Sequence, residues 1–219
     1  IVFKQMENST GYLRIPKSPV LNNTDEERYN QEIQKLVCQL LQKNTKNWII
    51  DLRLNYGGNM FQMLAGLNNF FGDANIGAYT DGSGKQTNTW SIRRGNFFLN
   101  NEQLTQSGIQ CSFPLKTGKT AILIGPITAS SGEAVAIAFR GLSNVKIFGE
   151  PTKGLSTSLR GYSLGRDMTL FLSTGYYTDR KGHIYKVGIT PDINVTGGDN
   201  FEDIQKDEKV ITASRWINE

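Results

Sequence analysis

The sequence predicts a single α/β domain in which buried strands alternate with crossover helices. Short apolar runs at residues 48–54 and 121–124 are typical of strands inside a sheet. Each run leads through a glycine-containing turn into a segment whose apolar residues recur at helical spacing. The 219 residues are 38% hydrophobic, which is enough to bury one sizeable core. We therefore expect residues 1–219 to form one domain.

Composition excludes several classes of protein. The net charge is only +4, and acidic residues lie between the basic ones, so no nucleic-acid patch is expected. No apolar run approaches the roughly 18 residues of a membrane span. Cys38 and Cys111 have neither metal-binding nor redox spacing, and we predict no metal and no cofactor. Cys38 lies among apolar helical positions, which favours a buried free thiol over a bridge.

The first half of the chain predicts two strands and two helices. Pro16 ends the first strand because proline cannot donate to a sheet. Thr24 and Glu27 form a capping box before an apolar periodicity. In order, the predicted elements are a strand at residues 11–15, a helix at 25–43, a strand at 48–54 and a helix from 60 to about 72.

The second half predicts more strands around one central helix. Residues 93–118 are irregular and either border a substrate cleft or form a surface insertion. A turn at residues 179–182 predicts a hairpin. In order, the predicted elements are strands at 76–80 and 87–92, a helix after Ser130, strands at 145–148, 159–164, 168–173, 176–178 and 184–187, and a terminal helix at 201–217.

Ser130 lies between a predicted strand and the central helix. A serine at such an elbow is well exposed, and the free amides of the helix start can stabilise an oxyanion, as a nucleophile requires. Ser130-x-x-Glu133 is equally a capping box, in which both side chains only satisfy backbone donors. This stretch alone favours the cap.

Four motifs along the chain favour the nucleophile over the helix cap. They are Asp51-Leu-Arg53-Leu-Asn-Tyr-Gly57-Gly58, Thr128-Ala-Ser-Ser-Gly-Glu133, Gly149-Glu150-Pro-Thr152-Lys-Gly154 and Gly188-Ile-Thr-Pro191-Asp192. Together they resemble the C-terminal processing peptidase and tricorn-core serine peptidases over about residues 10 to 196. The resemblance implies the Clp protease/crotonase-like spiral fold. It also implies that Ser130 is the nucleophile and that the amides of Ser131 and the Gly57-Gly58 turn form the oxyanion hole.

The general base departs from the pattern. The lysine of the Ser-Lys dyad would fall at Leu155, which cannot take a proton. Lys153 lies two residues earlier, about 7 Å away along an extended segment, and is a weak candidate. The tricorn branch, which the chain resembles more closely, uses a histidine from an N-terminal helical region. His183 matches no catalytic position of the family, and Tyr185 stands where that branch has an orienting glutamate.

Two functions therefore stay open. The first is a serine endopeptidase domain acting on peptides or unfolded proteins, with its base on a histidine upstream of Ile1. In that case residues 1–219 alone should hydrolyse casein-like substrates little or not at all. The second is a degenerate relative that binds peptides or protein tails without cutting them. The resemblance implies a cell-envelope, periplasmic or secreted location.

Overall fold

The fold is a mixed α/β domain, as predicted, and the described residues form two sheets and four α-helices. The computed structural model describes residues 1–18, 23–106, 111 and 118–219. The helices are α1 (Asn23–Leu41), α2 (Met60–Gly66), α3 (Ser131–Phe139) and α4 (Glu208–Asn218), with short 3-10 turns at Asn68–Phe70 and Ile204–Lys206. None of the helices among the described residues is both long enough and apolar enough to cross a membrane.

The first sheet has six strands, mostly parallel. Its strands are β1 (Val2–Gln5), β2 (Thr10–Arg14), β3 (Asn47–Asp51), β8 (Thr120–Ile124), β9 (Val145–Gly149) and β13 (Ile193–Asn194), in the spatial order β1-β2-β3-β8-β9-β13. Only β1 pairs antiparallel, against β2. The carboxyl ends of β3 and β8 therefore meet at one edge, and that edge carries both the glycine turn and the serine elbow.

Alternation along these strands builds two apolar layers. Ile50 and Ile122 face the main core under α1, α2 and α3. Ile49 and Leu123, one residue away on each strand, face a smaller core under α4. Each helix thus covers one face of the first sheet, and both faces are buried.

The second sheet is antiparallel and carries a projecting hairpin. Its strands are β4 (Ala74–Thr80), β5 (Gln86–Arg93), β6 (Asn96–Leu99), β7 (Glu102–Gln103), β10 (Thr157–Gly165), β11 (Met168–Asp179) and β12 (Ile184–Tyr185). They run in the order β10-β11-β4-β5-β6-β7, with β12 also on β11. We call residues 157–173 the arm. Its apolar side chains are exposed, with Leu159 at 62% and Phe171 at 65%.

Several expectations are corrected by the structure. The terminal helix starts at Glu208 instead of residue 201, and the strands predicted at 168–173 and 176–178 are one strand, β11. Residues 93–118 contain β6 and β7, while 107–110 and 112–117 lie outside the described residues, as does the side chain of the predicted cap Thr24. Strands β1 and β13 were not predicted.

The cysteine prediction is wrong. Cys38 on α1 and Cys111 form a disulfide, with their Cα atoms 5.7 Å apart across 73 residues of sequence. Cys38 is buried, as its apolar neighbours suggested, but it packs against a sulfur from a distant segment. Spacing within the sequence gave no sign of this contact. The bridge ties the segment before β8 to the helix that covers the first sheet.

Candidate active site

The serine elbow is the turn from β8 into α3. Thr128 fixes it, because its hydroxyl accepts a hydrogen bond from Gly125 N at 3.0 Å and donates one to Leu52 O at 2.9 Å. Ala129 N donates to Asn55 O at 3.0 Å. The elbow after β8 is therefore fastened to the loop after β3, so the two motifs form one unit.

Ser130 has a backbone conformation that an ordinary helix cap lacks. Its φ is 52° and its ψ is −118°, whereas a normal N-cap residue is extended. A non-glycine residue with positive φ costs on the order of 1–3 kcal/mol and is typical of functional sites. The Glu133 carboxylate accepts from Ser130 N at 3.0 Å, but the Ser130 hydroxyl makes no cap hydrogen bond of normal geometry. The two side chains nevertheless face each other's backbone amides, so the capping box that the sequence predicts is present.

The glycine turn lies directly against this elbow. Gly57 and Gly58 have φ values of +128° and +114°, which residues with a side chain rarely adopt. A Cβ on Gly57 would lie 3.3 Å from the Ser130 Cβ, and one on Gly58 would lie 2.5 Å from Ser18 O. The Ser131 hydroxyl donates to Gly58 O at 2.5 Å. The structure therefore brings together Ser130, Ser131, Gly57 and Gly58.

The backbone amides of this unit divide into used and free donors. Gly57 N donates to Asn55 Oδ1 at 3.1 Å, and Ser130 N is taken by Glu133. Neither Gly58 N nor Ser131 N has a hydrogen-bond acceptor among the described residues. Two free amides beside a serine hydroxyl are the donors that an oxyanion needs. Of the two predicted glycines, Gly58 is the one with an amide to offer.

Glu133 joins the elbow to the third motif. Its carboxylate is fully buried and accepts from the Thr152 hydroxyl and, at 2.9 Å, from Gly154 N. The Thr152 hydroxyl in turn accepts from Ile189 N at 2.8 Å, next to the fourth motif. Sequence reasoning treated Thr152 only as part of a resemblance. Its contacts show a structural role: Thr152 positions the Glu133 carboxylate, which in turn accepts the hydrogen bond from Ser130 N.

A pocket of about 330 Å³ opens at Ser130. Its described lining includes no Lys, Arg, His, Asp or Glu. A second hollow of about 500 Å³ continues from it and shares four lining residues, Phe61, Tyr79, Ser158 and Leu159. The two form a groove between the arm and β4–β5. Leu99, from the stretch predicted to border a cleft, lines its far part.

Tyr177 is a pocket residue that sequence reasoning missed. It lies on β11, is 5% exposed, and lines the pocket together with Ser130. Burial raises the pKa of the Tyr177 phenol to about 12, although the nearby Ser130 hydroxyl acts in the opposite direction. The phenol is therefore neutral at physiological pH. A single tyrosine in a strand of polar and apolar residues gives no sequence signal that it will line the pocket of Ser130.

The residues weighed as bases lie elsewhere. Lys153 is exposed and lines neither hollow of the groove, while its backbone N donates to Thr128 O at 2.9 Å. Leu155 is 53% exposed. His183 is exposed on the β11–β12 turn, with its ring against Tyr185, whose hydroxyl donates to Asp179 at 2.9 Å. Among the described residues, no group of three His, Cys, Asp or Glu side chains is placed to hold a metal ion.

A buried ionic cluster lies near the same strand end, under α4. Arg53 contacts Asp51, Asp199 and Asp207 at 2.5 to 2.7 Å. Lys209, fully buried, contacts Asp199 at 3.1 Å and Glu150 at 2.9 Å. Burial alone would raise the pKa of Asp51, but hydrogen bonds and charge from Arg53 hold it below its usual range. The charged residues of the first motif thus anchor the terminal helix.

Comparison with known protein families identifies the family to which the chain belongs. The model of peptidase family S41 matches residues 9–195. This chain belongs to peptidase family S41. The resemblance deduced from the four motifs is thereby confirmed, and the chain is a peptidase domain of that family.

Comparisons with individual proteins and solved structures are consistent with this family. The chain is 29% identical over 191 residues to a nisin-resistance protein of Lactococcus lactis subsp. lactis, covering 86% of this chain and 57% of that protein. A lipoprotein from Streptococcus agalactiae has a TM-score of 0.76 at 25% identity, over 99% of this chain and 69% of that one. A photosystem II D1 C-terminal processing protease shares the fold, with a TM-score of 0.63 at 18% identity over 85% and 42% of the two chains. The S41 chain described here thus spans about 57% of the length of its nisin-resistance relative.

Proposed function

We propose that this S41 domain is a serine endopeptidase with Ser130 as its nucleophile. The observation that carries the proposal is the strained backbone of Ser130 beside two free amides, those of Ser131 and Gly58. A helix cap needs neither the strain nor the adjoining glycine turn. In this mechanism Ser130 Oγ attacks the scissile carbonyl, its proton passes to a base, and the two amides stabilise the oxyanion.

The base is proposed to come from outside the described residues. The pocket at Ser130 has no basic or acidic side chain in its described lining, and neither Lys153 nor His183 lines it. A histidine in an upstream helical region, as in the tricorn branch, meets the need. The same lack of a base supports the alternative, a degenerate domain that binds peptides without cleaving them.

The proposed substrate is an extended peptide or unfolded protein in the groove between the arm and β4–β5. The part of the groove nearest Ser130 is lined by Phe61, Tyr79 and Leu159, which suit an apolar side chain. Similarity to a nisin-resistance protein makes nisin the first substrate to try.

An extracytoplasmic location is proposed on two grounds. The Cys38–Cys111 disulfide is typical of oxidising compartments, and one structural neighbour is a lipoprotein.

The nucleophile is tested by comparing Ser130→Ala with Ser131→Ala in the full-length protein. Ser130→Ala should abolish both peptide hydrolysis and labelling by a fluorophosphonate. Ser131→Ala keeps its backbone amide and should reduce the rate only mildly. If Ser130 were only a cap, its replacement would cost about 0.5–2 kcal/mol of stability and leave activity unchanged. Loss of labelling in Ser131→Ala alone would make Ser131 the nucleophile.

A further inference from the structure

Ser131, the first residue of α3, reaches the glycine turn with its side chain. Its hydroxyl donates to Gly58 O at 2.5 Å. We propose that this hydroxyl is a positioning group, which keeps the Gly58 amide directed into the pocket at Ser130. This inference rests on the proposed oxyanion hole and goes beyond it, because the motifs suggested a use only for the Ser131 amide.

A glycine turn is a flexible backbone on which to place an oxyanion donor. Gly57 and Gly58 have no Cβ, so their φ and ψ angles are restricted less than those of any other residue. A donor is effective in catalysis when it is already directed at the place where the charge will develop. The peptide units around Gly58 must therefore be fixed by other residues.

Three successive peptide units of this turn are each held by one hydrogen bond. Gly57 N donates to Asn55 Oδ1 at 3.1 Å, and Gly57 O accepts from Ser18 N at 3.1 Å. The third bond is the one from the Ser131 hydroxyl to Gly58 O. The partners come from the turn itself, from the segment after β2 and from α3. The two glycines are thus fixed against three parts of the fold.

The direction of the Gly58 amide follows from peptide geometry. The Gly57 carbonyl and the Gly58 N–H belong to one planar trans peptide unit, so they point in opposite directions. Because the carbonyl points to Ser18, the N–H points away from Ser18. Gly58 lines the pocket together with Ser130 and Ser131, whereas Ser18 is fully buried and does not line it. This geometry places the Gly58 amide on the pocket side.

The Ser131 hydroxyl fixes the peptide unit on the other side of the Gly58 Cα. Without this bond, that unit can turn about the glycine and change the direction of the Gly58 N–H. Because Ser131 also supplies the second donor, its hydroxyl ties the two oxyanion amides to each other. Gly58 is exposed, so water can reach its carbonyl once the hydroxyl is removed. The loss should therefore change the direction of the amide more than the stability of the fold.

The test uses the full-length protein with Ser131→Ala, which keeps the Ser131 amide and removes only the hydroxyl. We expect kcat for peptide hydrolysis and the rate of fluorophosphonate labelling to fall about 2- to 10-fold, the effect of one neutral hydrogen bond. Loss of a whole oxyanion donor would cost about 10²–10³. KM should stay the same, because the bound substrate has not yet developed the oxyanion charge.

Ser156→Ala is the matched control for loss of a buried serine hydroxyl. Ser156 is fully buried and donates to Tyr185 O at 3.0 Å, but it does not line the pocket. Its labelling rate should match that of the unsubstituted protein. Ser131→Thr keeps a hydroxyl at the site and should label faster than Ser131→Ala.

A peptide boronate separates positioning from a general loss of structure. As the bond between Ser130 Oγ and boron forms, the serine proton passes to the base, and one boron-bound oxygen takes the place of the oxyanion. The dissociation constant of this adduct should rise in Ser131→Ala by the factor by which kcat falls. Partial unfolding would lower the rate but would leave the affinity of the folded molecules unchanged.

A second variant covers the case in which Ser131→Ala does not fold. Ser131→Cys keeps a side chain of similar shape with only a weak donor, and it should bind the boronate more weakly than Ser131→Thr does. Unchanged boronate affinity in folded Ser131→Ala, or equal affinity in the Cys and Thr variants, would overturn the positioning role alone. No labelling of the unsubstituted protein would overturn the proposed nucleophile as well.

Discussion

The glycine turn beside Ser130 and the ionic cluster under α4 are both built from the first motif, and they are held in different ways. Asp51 and Arg53, at the end of β3, lie in a buried network of carboxylates and cations. Gly58, a few residues later, lines a pocket whose described lining is uncharged, and Gly57 packs directly against Ser130. The first region is held by paired charges, and the second by backbone hydrogen bonds and close packing.

The difference separates structural from chemical roles within one run of residues. A buried ion pair tolerates no loss of a partner, because the remaining charge has no water around it. A site that must receive a substrate keeps donors unpaired, as Gly58 N and Ser131 N are in the described part of the chain. We infer that the charges of the first motif serve stability, and its glycines serve the reaction.

Arg53→Leu should have the largest effect on folding. Leucine leaves Asp51 and Asp207, both fully buried, without their main cation. We expect a loss of about 3–5 kcal/mol in the free energy of unfolding, measured by urea denaturation. Lys206→Met is the control, because its ion pair with Asp203 is exposed and its loss should leave the unfolding midpoint unchanged.

The same variant also tests whether the ionic cluster and the site around Ser130 are independent. At a temperature where Arg53→Leu remains folded, Ser130 should label at the normal rate, since Arg53 does not line the pocket. Slow labelling in the folded variant would mean that the cluster also shapes the elbow.

Thr152→Val should have an intermediate effect on both stability and labelling. The substitution keeps the shape but removes the hydroxyl between Glu133 and Ile189 N. An unsatisfied buried group costs about 1–3 kcal/mol, and a looser Glu133 should slow the labelling of Ser130. Thr190→Val, the same change at an exposed position, is the control. A loss of stability with an unchanged labelling rate would show that Glu133 holds Ser130 N without help from Thr152.

Sequence alone predicted the α/β class, the alternation of strands and helices and the elbow of Ser130, because these depend on local periodicity and on motifs. It did not predict contacts between distant residues. Arg53 reaches Asp199 and Asp207 across 146 and 154 residues, and Tyr177 lines the pocket of Ser130 from another sheet. The Cys38–Cys111 bridge was missed for the same reason. Such pairings follow from the folded topology, which no local pattern encodes.

Lys153→Ala should have the smallest effect, and it decides whether the elbow lacks a base of its own. Lys153 is exposed and lines neither hollow of the groove, so its ammonium is not held near Ser130. Removing it from the full-length protein should leave both the rate of fluorophosphonate labelling and its dependence on pH unchanged. The side chain is long and flexible, however, and a substrate could draw it toward the serine. Loss of labelling in Lys153→Ala, with normal labelling in Lys181→Ala as a control for charge, would identify Lys153 as a displaced dyad base. The two regions would then be less distinct, because the reaction at the glycine turn would also depend on a cation.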